Sequence, residues 1–238
     1  MAEFEKANSL GEWFDQRLNT KKFTKVMMTE YWIPKDINFL WAMGALLAMM
    51  FSLLLVSGIF LLMYYKPDVN MAFDSVNFTI MQEVGYGWLF RHIHAVGASV
   101  IFLIIYIHMF TGIYYGSYKK GREMIWISGM ILFMTFSAEG FSGYMLPWGQ
   151  MSYWAAHVIT DIFGGIPLIG DELVVWIRGN YYVSDATLTR FFMLHVLLLP
   201  LAILGAIVFH FYALRAPHVN NQNGEFFDYD KEIEKFQA

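Results

Sequence analysis

The chain has 238 residues, of which 57% are hydrophobic, 18% aromatic and 15% charged, and its mean hydropathy is +0.43. A soluble domain averages about 45–50% apolar and about 25% charged residues, so this balance excludes disorder, a coiled coil and a basic nucleic-acid binder. The net charge of −4 selects no partner, and zero cysteines exclude disulfides, thiolate metal sites, iron–sulfur ligation by this chain and haem attached through C-x-x-C-H.

In chain order, residues 1–38 read as an N-terminal segment in which LGEWFDQRLNT (10–20) forms a short amphipathic surface helix. A bilayer-crossing helix needs about 20 mostly apolar residues. Four stretches qualify: Phe39–Tyr65, Leu89–Tyr115, Met124–Leu146 and Leu188–Leu214. The first begins too late and runs too long for a cleaved signal peptide. Spanning segments must satisfy their own backbone hydrogen bonds, so these are helices. The loop over 147–187 is rich in aromatic and aliphatic residues and is broken by GGIP, Gly170 and Gly179. Loops beyond about 12–15 residues usually carry function or structure, and here Tyr153–Phe163 and Leu173–Ile177 predict interfacial helices. Residues 215–238 form a polar tail. The expected fold is an all-α membrane protein, a four-helix transmembrane domain over 39–214 with surface helices in its long outer loop.

Positive charge sets the orientation. Twelve Lys and Arg residues precede the first span, join the second to the third, or follow the fourth; only Lys66, Arg91, Arg178 and Arg190 lie on the other side. Both termini are therefore expected on the cytoplasmic side of a bacterial plasma membrane.

The seven histidines are the main metal-ligand candidates. His94 and His108 are 14 residues apart on the second span, about 21 Å along a helix and within roughly 40° of the same direction. His195 and His210 are 15 apart on the fourth, about 22 Å and roughly 60°. Facing each other, the two helices define two levels with two imidazoles apiece, which suits both axial positions of a haem iron and so electron transfer rather than oxygen binding. Gly44 and Gly58 on the first span, and Gly129 and Gly143 on the third, repeat the 14-residue interval. Glycine removes the side chain where a macrocycle edge would meet a helix. A lone intramembrane histidine can be a hydrogen-bonded packing residue, and small residues commonly mediate helix packing; the matched intervals favour two haems. His92 lies about 160° around the helix from His94 and is read as a non-ligand. His157 and His218 fall outside the spans and receive no ligand role.

The stretches RHIHAVGASVIFLIIYIHMFTGIYYGSY, GYMLPWGQMSYW and TLTRFFMLHVLLLPLAILGAIVFH resemble cytochrome b of the quinol–cytochrome c reductases, from about Trp13 to Asn221. The resemblance implies that His94 and His195 hold the outer haem and His108 and His210 the inner one, both non-covalent and b-type. It makes Arg91 and Arg190 partners of the outer haem propionates, a role suited to a forked, permanently charged guanidinium. Ser117, Trp126 and Asn220 stand where the family contacts the inner propionates. Thr111 stands where the family often has an arginine.

Three departures bear on the branch. The 15-residue step from His195 to His210, and Arg215 five residues later, resemble the split b6 type. Ala42 stands where that type attaches an extra haem to cysteine, so no covalent third haem is expected. The four spans do not include the PEWY-type segment, so a separate subunit is expected to supply the C-terminal half, or the oxidation site is incomplete.

By the same resemblance the outer loop walls a quinol-oxidising pocket, with Phe141, Tyr144, Met151, Trp154 and Ile159 as lining candidates. Aromatic and thioether groups suit a hydroquinone ring, although interfacial aromatics also pack there without function. Ala155 adds a methyl where the family usually has glycine. Glu139 is the one acid inside a span; it is read either as an acceptor of a quinol proton or as a hydrogen-bonding group within the bundle. Arg215 is the candidate near the inner quinone or haem propionate, with Lys35 and Asp36 as possible neighbours. The implied function is the diheme subunit of a quinol–cytochrome c reductase. It carries electrons from outer quinol oxidation to cytoplasmic quinone reduction, coupled to proton translocation in a respiratory chain. The implied partners are a Rieske-type iron–sulfur subunit, a c-type cytochrome and membrane lipid, in a dimeric complex without nucleic acid. The alternative is a diheme anchor passing electrons between quinone and a peripheral dehydrogenase; a haem-free transporter or structural bundle is a third class.

Overall fold

A computed structural model describes residues 9–18, 21, 33, 37–119 and 121–215. Lys35, Asp36, His218 and Asn220 lie outside the described residues. Contacts divide the chain into two compact units, residues 38–213 and the flanking 1–37 with 214–238. The flanking unit contains a helix over Leu10–Leu18, within the stretch where an amphipathic surface helix is expected. Its N-terminal turn is held by Glu12 N donating to Ser9 Oγ at 3.2 Å.

Every regular element among the described residues is helical. Among the described residues four helices are long and apolar enough to cross a membrane: Phe39–Leu62, Gly87–Tyr114, Glu123–Met145 and Asp185–Arg215. Only 11–17% of each apolar stretch is buried within the protein. Contiguous apolar surface on that scale needs a nonaqueous neighbour, and a bilayer supplies one. The predicted ends agree within three residues; the first span closes at Leu62, where a tighter turn follows and Met63 N donates to Phe60 O at 3.3 Å. Asn38 opens that span by accepting a hydrogen bond from Leu40 N at 3.0 Å. The structure adds a segment that the hydropathy pattern does not announce: Ala72–Asp74 and the π-helical Ser75–Glu83 fill the connection between the first two spans.

The core of the bundle is built at fixed steps from the predicted site residues. Phe51, Ile101, Phe136 and Ile203, one from each span, pack in one buried cluster with Ile105. Phe51 stands midway between Gly44 and Gly58, Ile101 between His94 and His108, and Phe136 between Gly129 and Gly143. Two turns of helix separate each from the residues above and below. Phe51 meets Phe136 edge-on, with centroids 5.5 Å apart at 82°. An apolar layer therefore separates the two histidine levels.

The fourth span breaks this step, because Ile203 is eight residues after His195 and seven before His210. The chain there is π-helical over Leu194–Leu198, closed by Leu199 N bonding to Leu194 O. A π turn takes one residue more than an α turn. Pro200 follows immediately and offers no N–H to the preceding turn, which favours such a rearrangement. The extra residue in the 15-residue interval is thus absorbed locally.

The long loop carries helices Gln150–Gly164 and Gly170–Arg178, each slightly longer than predicted. Arg178 ties them together: Nε donates to Thr160 Oγ1 at 2.8 Å, and Nη2 to Asp161 Oδ1 at 2.6 Å and to His157 O at 3.2 Å. Gly179 ends the second helix with φ at +75°, a left-handed cap that glycine adopts without Cβ strain. Met145, Ala156, Val183 and Phe191 bury the loop against the third and fourth spans.

Candidate cofactor site

The helix steps bring the four predicted histidines together in pairs. His94 and His195 have ring centroids 6.0 Å apart at 87°; His108 and His210 are 6.4 Å apart at 72°. An imidazole nitrogen binds a first-row metal at about 2.0 Å, so two rings on opposite sides of one ion would have centroids about 6.2 Å apart. Both pairs match that spacing.

The hydrogen bonds behind the rings favour one tautomer. His94 Nδ1 lies 3.1 Å from Leu54 O and 3.0 Å from Ser57 Oγ. His195 Nδ1 lies 3.1 Å from Glu139 O and 3.5 Å from Ser142 Oγ. A carbonyl only accepts, so Nδ1 carries the proton in both rings and Nε2 keeps its lone pair. His210 Nδ1 lies 2.8 Å from Ser128 Oγ, whose hydrogen is already directed to Ile125 O at 3.0 Å; Nδ1 is the donor there too.

Each predicted glycine lies against one of these rings. A Cβ on Gly58 would stand 3.1 Å from His94 Cε1, on Gly129 3.3 Å from His210 Cε1, and on Gly44 3.6 Å from His108 Cε1. On Gly143 it would overlap His195 Cε1 and come within 2.9 Å of Nδ1. The glycines admit the imidazoles themselves, so the cradle holds the ring by its edge and by Nδ1. Sequence reasoning missed the serines: Ser57, Ser128 and Ser142, each 1% exposed. The signal was present, since three of the four glycines follow a serine directly; Met43 precedes the fourth.

At the His94–His195 level a cavity of about 830 Å³ opens between the spans, lined by both rings, Gly58, Gly143, Arg91 and Glu139. That volume lies within the range of roughly 300–1,000 Å³ common for cofactor and ligand sites. Phe141, Tyr144, Ala155 and Ile159 line the same space, whereas Met151 and Trp154 lie outside its lining, 75% and 58% exposed. Trp154 Nε1 donates to Gln150 Oε1 at 3.1 Å. Arg190 donates through Nη1 to Trp176 O, and Gly179 has no side chain where that guanidinium crosses it. Glu139 Oε1 lies 3.1 Å from His195 Nδ1.

At the other level, Trp126 packs near Tyr118, with centroids 5.8 Å apart, and Ser117 N bonds to Gly112 O at 2.8 Å. Thr111 Oγ1 donates to Ile107 O within its own helix at 2.7 Å. Arg215 is the last residue of the fourth-span helix. His92 bonds through Nδ1 to Trp88 O at 2.7 Å, and His157 packs against Tyr153 and Trp154. Neither ring joins a histidine pair.

The four-span bundle is thus a membrane protein with two levels of paired imidazoles, His94 with His195 and His108 with His210. The chain belongs to the family described as cytochrome b/b6/petB, which matches residues 28–218. It is 47% identical over 219 residues to a cytochrome b of Rickettsia conorii, covering 92% of this chain and 54% of that protein. It is 43% identical over 220 residues to a cytochrome b of Allochromatium vinosum, covering 92% and 52%. A solved structure titled "Hyperthermophilic respiratory Complex III" superposes with a TM-score of 0.82 at 40% identity, covering 92% of this chain and 58% of that one. The chain spans about half the length of the curated relatives it matches.

Proposed function

We propose that this chain is the diheme portion of the cytochrome b of a quinol–cytochrome c reductase. His94 and His195 would hold one b-type haem, and His108 and His210 the other. The observation that carries this reading is the pair of opposed imidazoles at each level, 6.0 and 6.4 Å apart. When bound, the two groups would supply one-electron transfer across the membrane, from quinol oxidised on the long-loop side to quinone reduced on the cytoplasmic side.

The residues around them divide the remaining work. Ser57, Ser128 and Ser142, with the carbonyls of Leu54 and Glu139, fix the tautomer that leaves Nε2 basic. Gly44, Gly58, Gly129 and Gly143 leave room for the ligand rings. Arg91 and Arg190 are the propionate partners at the long-loop side, and Ser117, Trp126 and Asn220 those at the other, with Arg215 as a charge near the inner quinone. Phe141, Tyr144 and Ile159 form the apolar wall of the quinol pocket, supported by their place in the cavity; Met151 and Trp154 extend that wall. No covalent haem is held by this cysteine-free chain. A Rieske-type subunit and a c-type cytochrome are the electron-accepting partners, in a dimeric complex of a bacterial plasma membrane with both termini cytoplasmic. The C-terminal half of the family completes the outer pocket, whether it lies on this polypeptide or on another.

The test is haem stoichiometry in purified membranes by pyridine haemochrome and reduced-minus-oxidised spectra. Two b-type haems per chain are expected, falling to one in His195→Ala and to one in His210→Ala. A chain without a b-type band, or one unaffected by either substitution, would refute the proposal.

A further inference from the structure

The two histidines at the long-loop level are held unequally. Behind His94 stand a serine hydroxyl and a backbone carbonyl, and behind His210 the Ser128 hydroxyl. Behind His195 stand a serine hydroxyl, the carbonyl of Glu139 and, 3.1 Å from Nδ1, the carboxylate of the same residue. One turn of helix separates Glu139 from Gly143, so backbone and side chain of a single residue bracket the ring that Gly143 admits.

The carboxylate is little screened, its side chain 16% exposed. Its second oxygen is buried without a hydrogen-bond partner among the described residues. Arg91 lines the same cavity and is the cation facing this level from the second span. We infer that Glu139 is a positioning residue for the metal at the His94–His195 level, acting through His195. Its negative charge, 3.1 Å from Nδ1, makes that imidazole a stronger donor and holds the bound group at a lower reduction potential than a neutral side chain there would. Carboxylate partners of metal-bound histidine raise ligand basicity, and a nearby negative charge favours the more positive, oxidised metal. The inference rests on the diheme reading and gives Glu139 a role other than taking a quinol proton.

The experiment is redox titration of the two b-type haems in the full complex, each followed by its own spectral band. Glu139→Gln leaves the backbone carbonyl accepting from Nδ1 and removes the charge. It is expected to raise the potential of one haem by about tenfold in its reduction equilibrium, about 59 mV for one electron, and to leave the other in place. Glu139→Asp, which keeps the charge but withdraws it by a methylene, is expected to give a smaller rise in the same haem and serves if the Gln variant loses its cofactor. Unchanged potentials with both haems present overturn the inference, as does an equal shift of both. Absence of both bands from the unsubstituted complex overturns the diheme reading and this inference with it.

Discussion

Gly143 and Gly44 hold equivalent places beneath two histidine rings, yet the same substitution has opposite expected outcomes. A Cβ at Gly143 would overlap the His195 ring, whereas at Gly44 it would rest 3.6 Å from His108, an ordinary contact. Forcing a methyl group into a packed site costs about 1–3 kcal/mol when the neighbours cannot move, and His195 is held in place by the hydrogen bond of Nδ1 to Glu139 O. Gly143→Ala is therefore expected to lose one haem of two, and Gly44→Ala to keep both, as read from haem per polypeptide. Equal loss in both variants would show that the glycines serve helix packing alone. The serines were hidden from sequence reasoning for a related reason. A mid-helix serine usually bonds back to its own helix, as these do, and its second role exists only once another helix presents Nδ1.

At the level of the element, the fourth span shows how a helix keeps two histidines aligned across an odd interval. Fifteen regular α-helical steps would leave His210 roughly 60° away from the direction of His195; the π turn at Leu194–Leu198 takes up the surplus. Deleting Leu197 is expected to convert that turn to regular α-helix and to retain both haems. Deleting Leu103, between Ile101 and His108, is expected to swing His108 by about 100° and to remove one haem. Spectra of the two deletions side by side decide the matter, and loss in both would mean that the π turn has another purpose. In the outer loop, Arg178 is the buried donor to four acceptors, Thr160 Oγ1, Asp161 Oδ1 and the carbonyls of His157 and Tyr181. Arg178→Met leaves Thr160 and the His157 carbonyl short of a partner, at about 1–3 kcal/mol. The expected readout is faster proteolysis within 147–187, with haem content preserved.

For the whole molecule, the absence of cysteine makes orientation directly testable. Leu168 is 99% exposed in the long loop. Leu168→Cys is expected to react with a membrane-impermeant maleimide in intact cells, and a cysteine added at either terminus only after the membrane is opened. The reverse pattern would invert the proposed direction of electron flow. At this scale the four spans must also meet around a shared centre. Phe51, Ile101, Phe136 and Ile203 provide it, and their spacing from the site residues keeps the two histidine levels apart.

The sequence by itself determined the four apolar spans, their ends to within three residues, and the intervals that put His94 with His108 on one face and set His195 and His210 at two separate levels. Length, hydropathy and helix periodicity are local properties, readable without knowing what packs against what. Only the tertiary structure decided that the rings oppose each other at about metal-bridging distance and that the glycines admit imidazole edges. It also decided that three serines and two carbonyls favour the Nδ1–H tautomer and that Glu139 turns its carboxylate to His195. Each of these is a relation between helices distant in sequence, set by how the buried layer between the two levels holds the spans together, and no local pattern encodes it.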